Sequence, residues 1–309
     1  MKTLNNNITS LAVAENKNLY IDTFLNNIDT AETTREAYKK GLKKFFIFLS
    51  DNNIKSITQA DIINYKNYLI KNNKATTINL CITALKRFYK FLYNHYGIMD
   101  YTQELKTITL NREHKKDGLN IKQARELLTS TDNLRDKAII KLLLTGALRT
   151  IEIERANIED LTIKGNNYIL QIQGKGHEKK DDYIIITDST YKAINEYLQT
   201  RKNKKPSDPL FTSNSHNNNN GRLTTRSIRR IIKNNLLNIG IDTPKITTHS
   251  LRHTAITQAI INGADLLQAQ ALARHKSPTT TQIYIDEIVN EKAKETTANI
   301  LEKALKGDL

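Results

Sequence analysis

Apolar residues recur every three or four positions from about Lys17 to Tyr96, the period of amphipathic helices. "YIDTFLNNI" opens the pattern. In "TTREAYKKGLKKFFIFLSD" the apolar side falls on Tyr38, Leu42, Phe45, Phe46 and Leu49. "SITQADIINYKNYLIKN" supplies a start signal, Thr58 with Asp61 three residues on, as in a capping box. "KATTINLCITALKRFYKFLYNHYG" puts Ile78, Ile82, Leu85, Phe88, Tyr89 and Leu92 on one side, with Gly97 at the stop position. Four helices with short joints predict a small all-α domain.

The period then lapses. "TITLNREHKKDGLN" is polar and basic and reads as a linker. Asn120 with Gln123 starts a helix in "IKQARELLTS", and "NLRDKAIIKLLLTGALR" predicts a second that runs to Arg149. "NNYILQIQGKGHEKKDDYIIIT" holds two β-rich runs around a Gly-Lys-Gly turn and a charged loop, an antiparallel hairpin. Helices resume at "DSTYKAINEYLQTR". The low-complexity run "SNSHNNNNGR" reads as a mobile loop. "LTTRSIRRIIKNNLLNIG" follows as a basic helix. "DEIVNEKAKETTANILEKALKGDL" is helical with a thin apolar face at Ile288, Ala293, Ile300, Leu301 and Leu305. The fold class expected is mostly α (α+β): a helical domain over 1–108, a linker over 109–119, and a mainly helical domain with a small antiparallel sheet over 120–309.

Composition narrows the function. With 39% hydrophobic and 26% charged residues the chain is that of a soluble globular protein. No apolar run approaches the roughly 20 residues of a membrane helix. The N-terminus lacks the basic start and apolar core of a secretory signal. Cys81 is the only cysteine, which excludes an intramolecular disulfide and leads to the expectation of a reducing, cytoplasmic home.

The net charge of +15 points to a polyanion, because lysines and arginines displace counterions from phosphates. Arg35, Lys39 and Lys43 share one helix face, with Lys40 and Lys44 as a neighbouring row. Lys86 and Lys90 repeat the spacing beside Arg87, and Arg226, Arg229, Arg230 and Lys233 crowd another helix. Two basic stripes suit helices laid along DNA. Lysines also decorate any solvated face, so the stripes alone decide little.

The segment "THSLRHTAITQAIINGADLLQAQALARHKSPTTTQIYI" gathers His249, Arg252, His253, Arg274, His275 and Tyr284 with a single carboxylate, Asp265. With Thr248 as N-cap, His249 and Arg252 share one face of a helix N-terminus, an end that favours anions. His249 and His253 have the spacing of a zinc helix, with His275 as a third ligand. The glutamate of His-Glu-x-x-His is missing, however, and an arginine beside the ligands would repel a cation. A phosphate fits better. Arginines and histidines stabilise negative charge on its oxygens, and a tyrosine hydroxyl can attack it.

Order and spacing sharpen this reading. His249, Arg252, His275 and Tyr284 resemble the His-x-x-Arg, His or Trp, then Tyr pattern of the tyrosine recombinases, the phage integrase and Xer/Cre-like enzymes. "NGADLLQAQALARH" is similar to the segment between these motifs. "TGALRTIEI" resembles the Thr-Gly-x-Arg-x-x-Glu element, with Arg149 and its acidic companion Glu152. "QGKG" resembles the hairpin motif that carries a lysine, Lys175. The resemblance covers nearly the whole chain. Two departures stand out: Arg274 replaces the usual glycine before the histidine, where it reshapes the turn or adds a phosphate contact, and one extra residue separates Gly146 from the arginine.

The resemblance implies that residues 1–108 bind a core DNA site and that residues 120–309 are catalytic, ending in an oligomerisation helix. It implies that Tyr284 attacks the scissile phosphate to give a 3′-phosphotyrosyl link and a free 5′-hydroxyl. Arg149, Arg252 and His275 would hold the phosphate oxygens, Lys175 would protonate the leaving oxygen, and His249 would assist the tyrosine's proton. No metal or other cofactor is called for. The partners implied are double-stranded DNA with paired inverted core sites and a homo-tetramer, with room for a second recombinase or accessory protein. Only about 16 residues precede the first helix, which leads to the expectation of a simple Xer/Cre-like layout without an arm-binding domain. A type IB-like topoisomerase shares the chemistry, and a catalytically silent DNA-binding protein shares the scaffold.

Overall fold

A computed structural model describes residues 16–109, 118–174, 179–214 and 220–306. Lys175 and Gly176 of the Gly-Lys-Gly turn, most of the linker and most of the asparagine run lie outside the described residues. The chain divides into two compact units, residues 1–113 and 114–309.

In the first unit the described helices are α1 (Lys17–Asn27), α2 (Glu32–Asp51), α3 (Gln59–Asn72) and α4 (Ala75–Tyr96). Of the predicted apolar positions, Leu42, Ile82, Leu85 and Leu92 are fully buried, and Tyr65 and Leu69 of α3 join them in the core. Phe45 packs edge-on against Tyr65, ring centres 5.0 Å apart. A Cβ at Gly41 would lie 3.4 Å from Ala84 Cβ and from Cys81 Cα, so the glycine lets α2 approach α4 closely. Thr58 and Asp61 form the capping box that the sequence announces, and Gly97 ends α4 at φ +69°.

The second unit contains α5 (Ile121–Thr129), α6 (Leu134–Thr145), α7 (Thr150–Arg155), strands β1 (Leu161–Lys164), β2 (Asn167–Ile172) and β3 (Asp182–Ile186), α8 (Asp188–Gln199), α9 (Thr225–Asn238), α10 (Thr248–Ile261), α11 (Leu266–Ala273) and α12 (Pro278–Lys306). The sheet is antiparallel in the order β1-β2-β3, with Leu170 opposite Ile184 on its buried side. The hairpin expected from the sequence is β2–β3. β1 is an addition, a four-residue strand too short to show a period. The core centres on α6, where Ala138, Ile139, Ile140, Leu142 and Leu143 are all buried. A satellite cluster of Ala147, Ala255, Ile256, Ala273 and Tyr284 lies under the site described next. Among the described residues no helix is long and apolar enough to cross a membrane.

Candidate active site

The helix predicted to run to Arg149 stops four residues short. α6 ends at Thr145 with Gly146 as its cap, and Ala147 then takes φ +46°. Space at Gly146 is tight: a Cβ there would fall 3.0 Å from the Leu142 carbonyl oxygen and 2.6 Å from the terminal methyl of Ile184, which would have to shift. The glycine-favouring conformation belongs instead to Ala147, two residues before Arg149. That is where the resembled motif has its glycine. Ala147 therefore has the backbone conformation that suits a glycine at that place, beside the extra residue of the sequence reading.

Arg149 is the N-cap of α7. Its backbone N–H donates to Glu152 Oε2 at 2.8 Å and its Nη1 to Glu152 Oε1 at 2.9 Å. Glu152 is 1% exposed, so a buried carboxylate holds a half-exposed guanidinium by backbone and side chain together.

α10 begins one residue earlier than its sequence suggests. Thr247, not Thr248, is the N-cap, and its side chain pairs with Ser250 in a capping box. His249 then stands exposed in the first turn. Arg252, one turn further, is 2% exposed. Its Nη1 donates to the carbonyl of Ala147 and its Nη2 to that of Ala273. Burial, then the charges of Arg149 and Arg274, lower its pKa to about 9, against the opposing pull of Glu152 and Tyr284.

The turn between α11 and α12 carries the remaining pieces. Arg274 caps α11 in the left-handed region, φ +52°. Its side chain folds back to Glu152 rather than outward, so the turn keeps the glycine-like conformation despite the change of residue. His275 follows, its Nδ1 2.9 Å from the Thr281 hydroxyl. Tyr284 on α12 is 3% exposed. Its ring centre lies 6.1 Å from that of His275 and 4.9 Å from that of His253. Burial pushes the phenol's pKa up, Arg252 and Arg149 pull it down, and Glu287 adds to the rise. His253 entered the sequence reading only as a metal ligand. In the fold it is a buried wall against the tyrosine ring, with Nδ1 3.2 Å from the Thr257 hydroxyl.

Arg149, Ile172, Gly174, Asp182, Arg274 and His275 line a cleft between the hairpin and the α11–α12 turn. The scarcity of carboxylates in the 247–285 segment does not extend to the folded site, since β3 brings Asp182 to within 4.0 Å of Arg274 Nε. Lys175 lies outside the described residues; beside it, Gly174 O accepts from Arg155 Nη1 at 2.9 Å. Among the described residues no three His, Cys, Asp or Glu side chains group as for a metal ion.

The basic residues singled out for DNA differ in what they already hold. Lys43, Lys90, Arg226, Arg229 and Arg230 are exposed. Lys39 pairs with Asp22 at 3.2 Å, Lys44 donates to Asn73 Oδ1 at 2.5 Å, and Arg35 lies 3.6 Å from Glu32. Arg87 lies over the Tyr38 ring at 5.8 Å. Lys86 donates to the carbonyls of Gln103 and Leu105, at 3.3 and 3.1 Å.

Residues 117–291 match the Phage integrase family, and residues 18–95 match the Phage integrase, N-terminal SAM-like domain. The chain belongs to the phage integrase family. It is a tyrosine recombinase, an enzyme that breaks and rejoins DNA in site-specific recombination. The recombinase is 32% identical over 289 residues to tyrosine recombinase XerC of Thermodesulfovibrio yellowstonii, covering 87% of this chain and 92% of the relative. It is 29% identical over 263 residues to tyrosine recombinase XerA of Pyrococcus horikoshii, covering 85% and 86%. Its fold is similar to that of XerH site-specific recombinase in a post-cleavage complex with a palindromic difH substrate, at TM-score 0.72, 19% identity and coverage of 97% and 92%. A lambda integrase dimer bound to a core site gives TM-score 0.68, 15% identity and coverage of 86% and 94%.

Proposed function

We propose that this recombinase cuts and rejoins DNA at a specific site with Tyr284 as nucleophile. The observation that carries the reading is the convergence of Arg149, Arg252 and His275, from α7, α10 and the α11–α12 turn, around one buried tyrosine. Tyr284 Oη attacks the scissile phosphorus, a P–O bond to the tyrosine forms, and the bond from phosphorus to the 5′ oxygen breaks. The phenol's proton leaves with help from His249, and Lys175 supplies the proton taken up by the 5′ oxygen. Arg149, Arg252 and His275 stabilise the charge that gathers on the non-bridging oxygens. The ester is conserved in the protein–DNA link, so the reverse step joins a new 5′-hydroxyl without metal or nucleotide.

The DNA would be a duplex with paired inverted core sites, held by residues 1–108 and by α9. Four copies of the chain would pair two sites and exchange strands through a Holliday junction, with α12 docking between copies. The test uses nicked duplexes made from the source genome, in which loss of a short fragment traps the covalent adduct. Wild-type protein should yield adducts that converge on one site with inverted arms, and Tyr284→Phe should bind the same DNA and yield none. Scattered adducts would favour simple relaxation of DNA. Absence of adducts from folded, DNA-binding wild type would overturn the reading.

A further inference from the structure

The structure assigns to Arg274 the part of a positioning residue: its guanidinium ties the Glu152 carboxylate to the Gly146–Ala147 turn, and so holds both Arg149 and Arg252 toward the phosphate. This rests on the active-site reading above.

The backbone supplies the first reason. Arg274 sits at φ +52°, where a side chain is disfavoured and glycine is at ease. Such a conformation persists only where surrounding contacts over-determine it, and those contacts are present. The side chain is 9% exposed. Nη1 donates to Gly146 O at 3.1 Å and to Leu272 O at 2.9 Å. Nη2 donates to Ala147 O at 3.2 Å and to Glu152 Oε2 at 2.9 Å.

Those acceptors are the ones that hold the two phosphate arginines. Glu152 Oε2 also receives the backbone N–H of Arg149, and Oε1 receives Arg149 Nη1. Ala147 O also receives Arg252 Nη1, while Arg252 Nη2 donates to Ala273, the residue joined to Arg274. A single guanidinium therefore braces the supports of both arginines. A direct phosphate contact is the competing use of Arg274. The protein's own acceptors take up both Nη atoms, and Nε is buried without an acceptor, 4.0 Å from Asp182.

Charge gives a second reason. Glu152 is buried beside the site, and with Arg149 as its single cationic partner it would offset the charge that Arg149 offers a phosphate. Arg274 balances it, which leaves the field of Arg149 and Arg252 directed at the cleft. Lysine would not substitute fully, because a point charge cannot span a carboxylate and three carbonyls as a planar fork does.

The experiment compares wild type, Arg274→Gly and Arg274→Lys in the full chain, on a nicked duplex carrying the site recovered by adduct mapping. The duplex has sulfur at the leaving 5′ position, which needs no proton, so the titration of Lys175 does not enter. Arg274→Gly should form the adduct about 10- to 100-fold more slowly, the range seen when an orienting partner is lost, with DNA affinity retained. Arg274→Lys keeps the charge and should fall between in rate with the alkaline limb unmoved; its rate and the hydrogen exchange below carry the test if the glycine variant does not fold.

The alkaline limb of the pH profile separates positioning from general loosening. The charged groups facing Arg252 are Arg149, Arg274, Glu152 and Tyr284. Loss of the Arg274 charge removes a repulsion, so the limb should move to higher pH even as the rate falls. For Arg274→Gly, a wild-type rate, or a slower rate with an unmoved limb, overturns the proposal, as does a wild-type rate for Arg274→Lys. Hydrogen exchange at the amides of residues 147–153 gives a readout free of activity. If wild type forms no adduct, the active-site reading fails, and unchanged exchange in Arg274→Gly overturns the positioning role by itself.

Discussion

The Thr281 hydroxyl lies 2.9 Å from Nδ1 of His275, and Thr281 stands one helical turn before Tyr284 on α12. The helix that carries the proposed nucleophile therefore also fixes the ring that would face the phosphate. Thr281 is fully buried, so its hydroxyl has no water to turn to. Thr281→Val keeps the shape and removes the bond. It should cost about 1–2 kcal/mol of stability, the worth of one buried hydrogen bond with its partner left behind. Adduct formation should slow by about tenfold, as orienting partners of a functional histidine do when lost, with DNA affinity unchanged. Single-turnover trapping on the nicked duplex reads both. A wild-type rate would mean that other contacts orient His275.

The depressed pKa of Arg252 sets a pH limit. Arg252 must be charged to hold a phosphate oxygen, and its pKa in the free enzyme is about 9. The second-order rate constant for adduct formation, which reports groups in the free enzyme, should therefore fall as pH rises through about 9. Ionisation of Tyr284 would act in the other direction, and burial defers it by pushing that pKa up. At saturating DNA the limb should move to higher pH, because a bound phosphate favours charged Arg252. A leaving 5′ sulfur again keeps Lys175 out of the profile. A flat profile to pH 10 or so would sink this assignment.

The helical unit and the order of the site residues were legible in the sequence because periodicity and motif spacing are local. Leu42, Phe45, Ile82, Leu85 and Leu92 show their burial in their spacing alone. The end of α6 was not legible, because Ala147 and Leu148 continue its apolar pattern while the chain turns left-handed at Ala147. Nor was the fate of Arg274, whose carboxylate partner is 122 residues away. Asp182 joins the cleft only through the hairpin's path, which no spacing within 247–285 can report. His253 shows the converse: its i, i+4 relation to His249 was visible, but the Tyr284 ring against it comes from α12.

Basic residues that look alike in the sequence should behave differently on DNA. The ammonium of Lys86 is spent on the carbonyls of Gln103 and Leu105, which ties the segment after α4 back to that helix. Lys43 and Lys90 stand exposed on α2 and α4. Each phosphate contact contributes a nearly fixed increment to the salt dependence of binding. Lys43→Ala and Lys90→Ala should therefore each reduce the slope of log affinity against log salt by about 1, with thermal stability unchanged. Lys86→Ala should leave the slope alone and lower the midpoint of unfolding instead, because two carbonyls lose their donor. Titrations of a site-bearing duplex at several salt concentrations, paired with melts of each variant, separate the two roles. A reduced slope for Lys86→Ala at unchanged stability would show that Lys86 leaves its carbonyls for the phosphates when DNA binds.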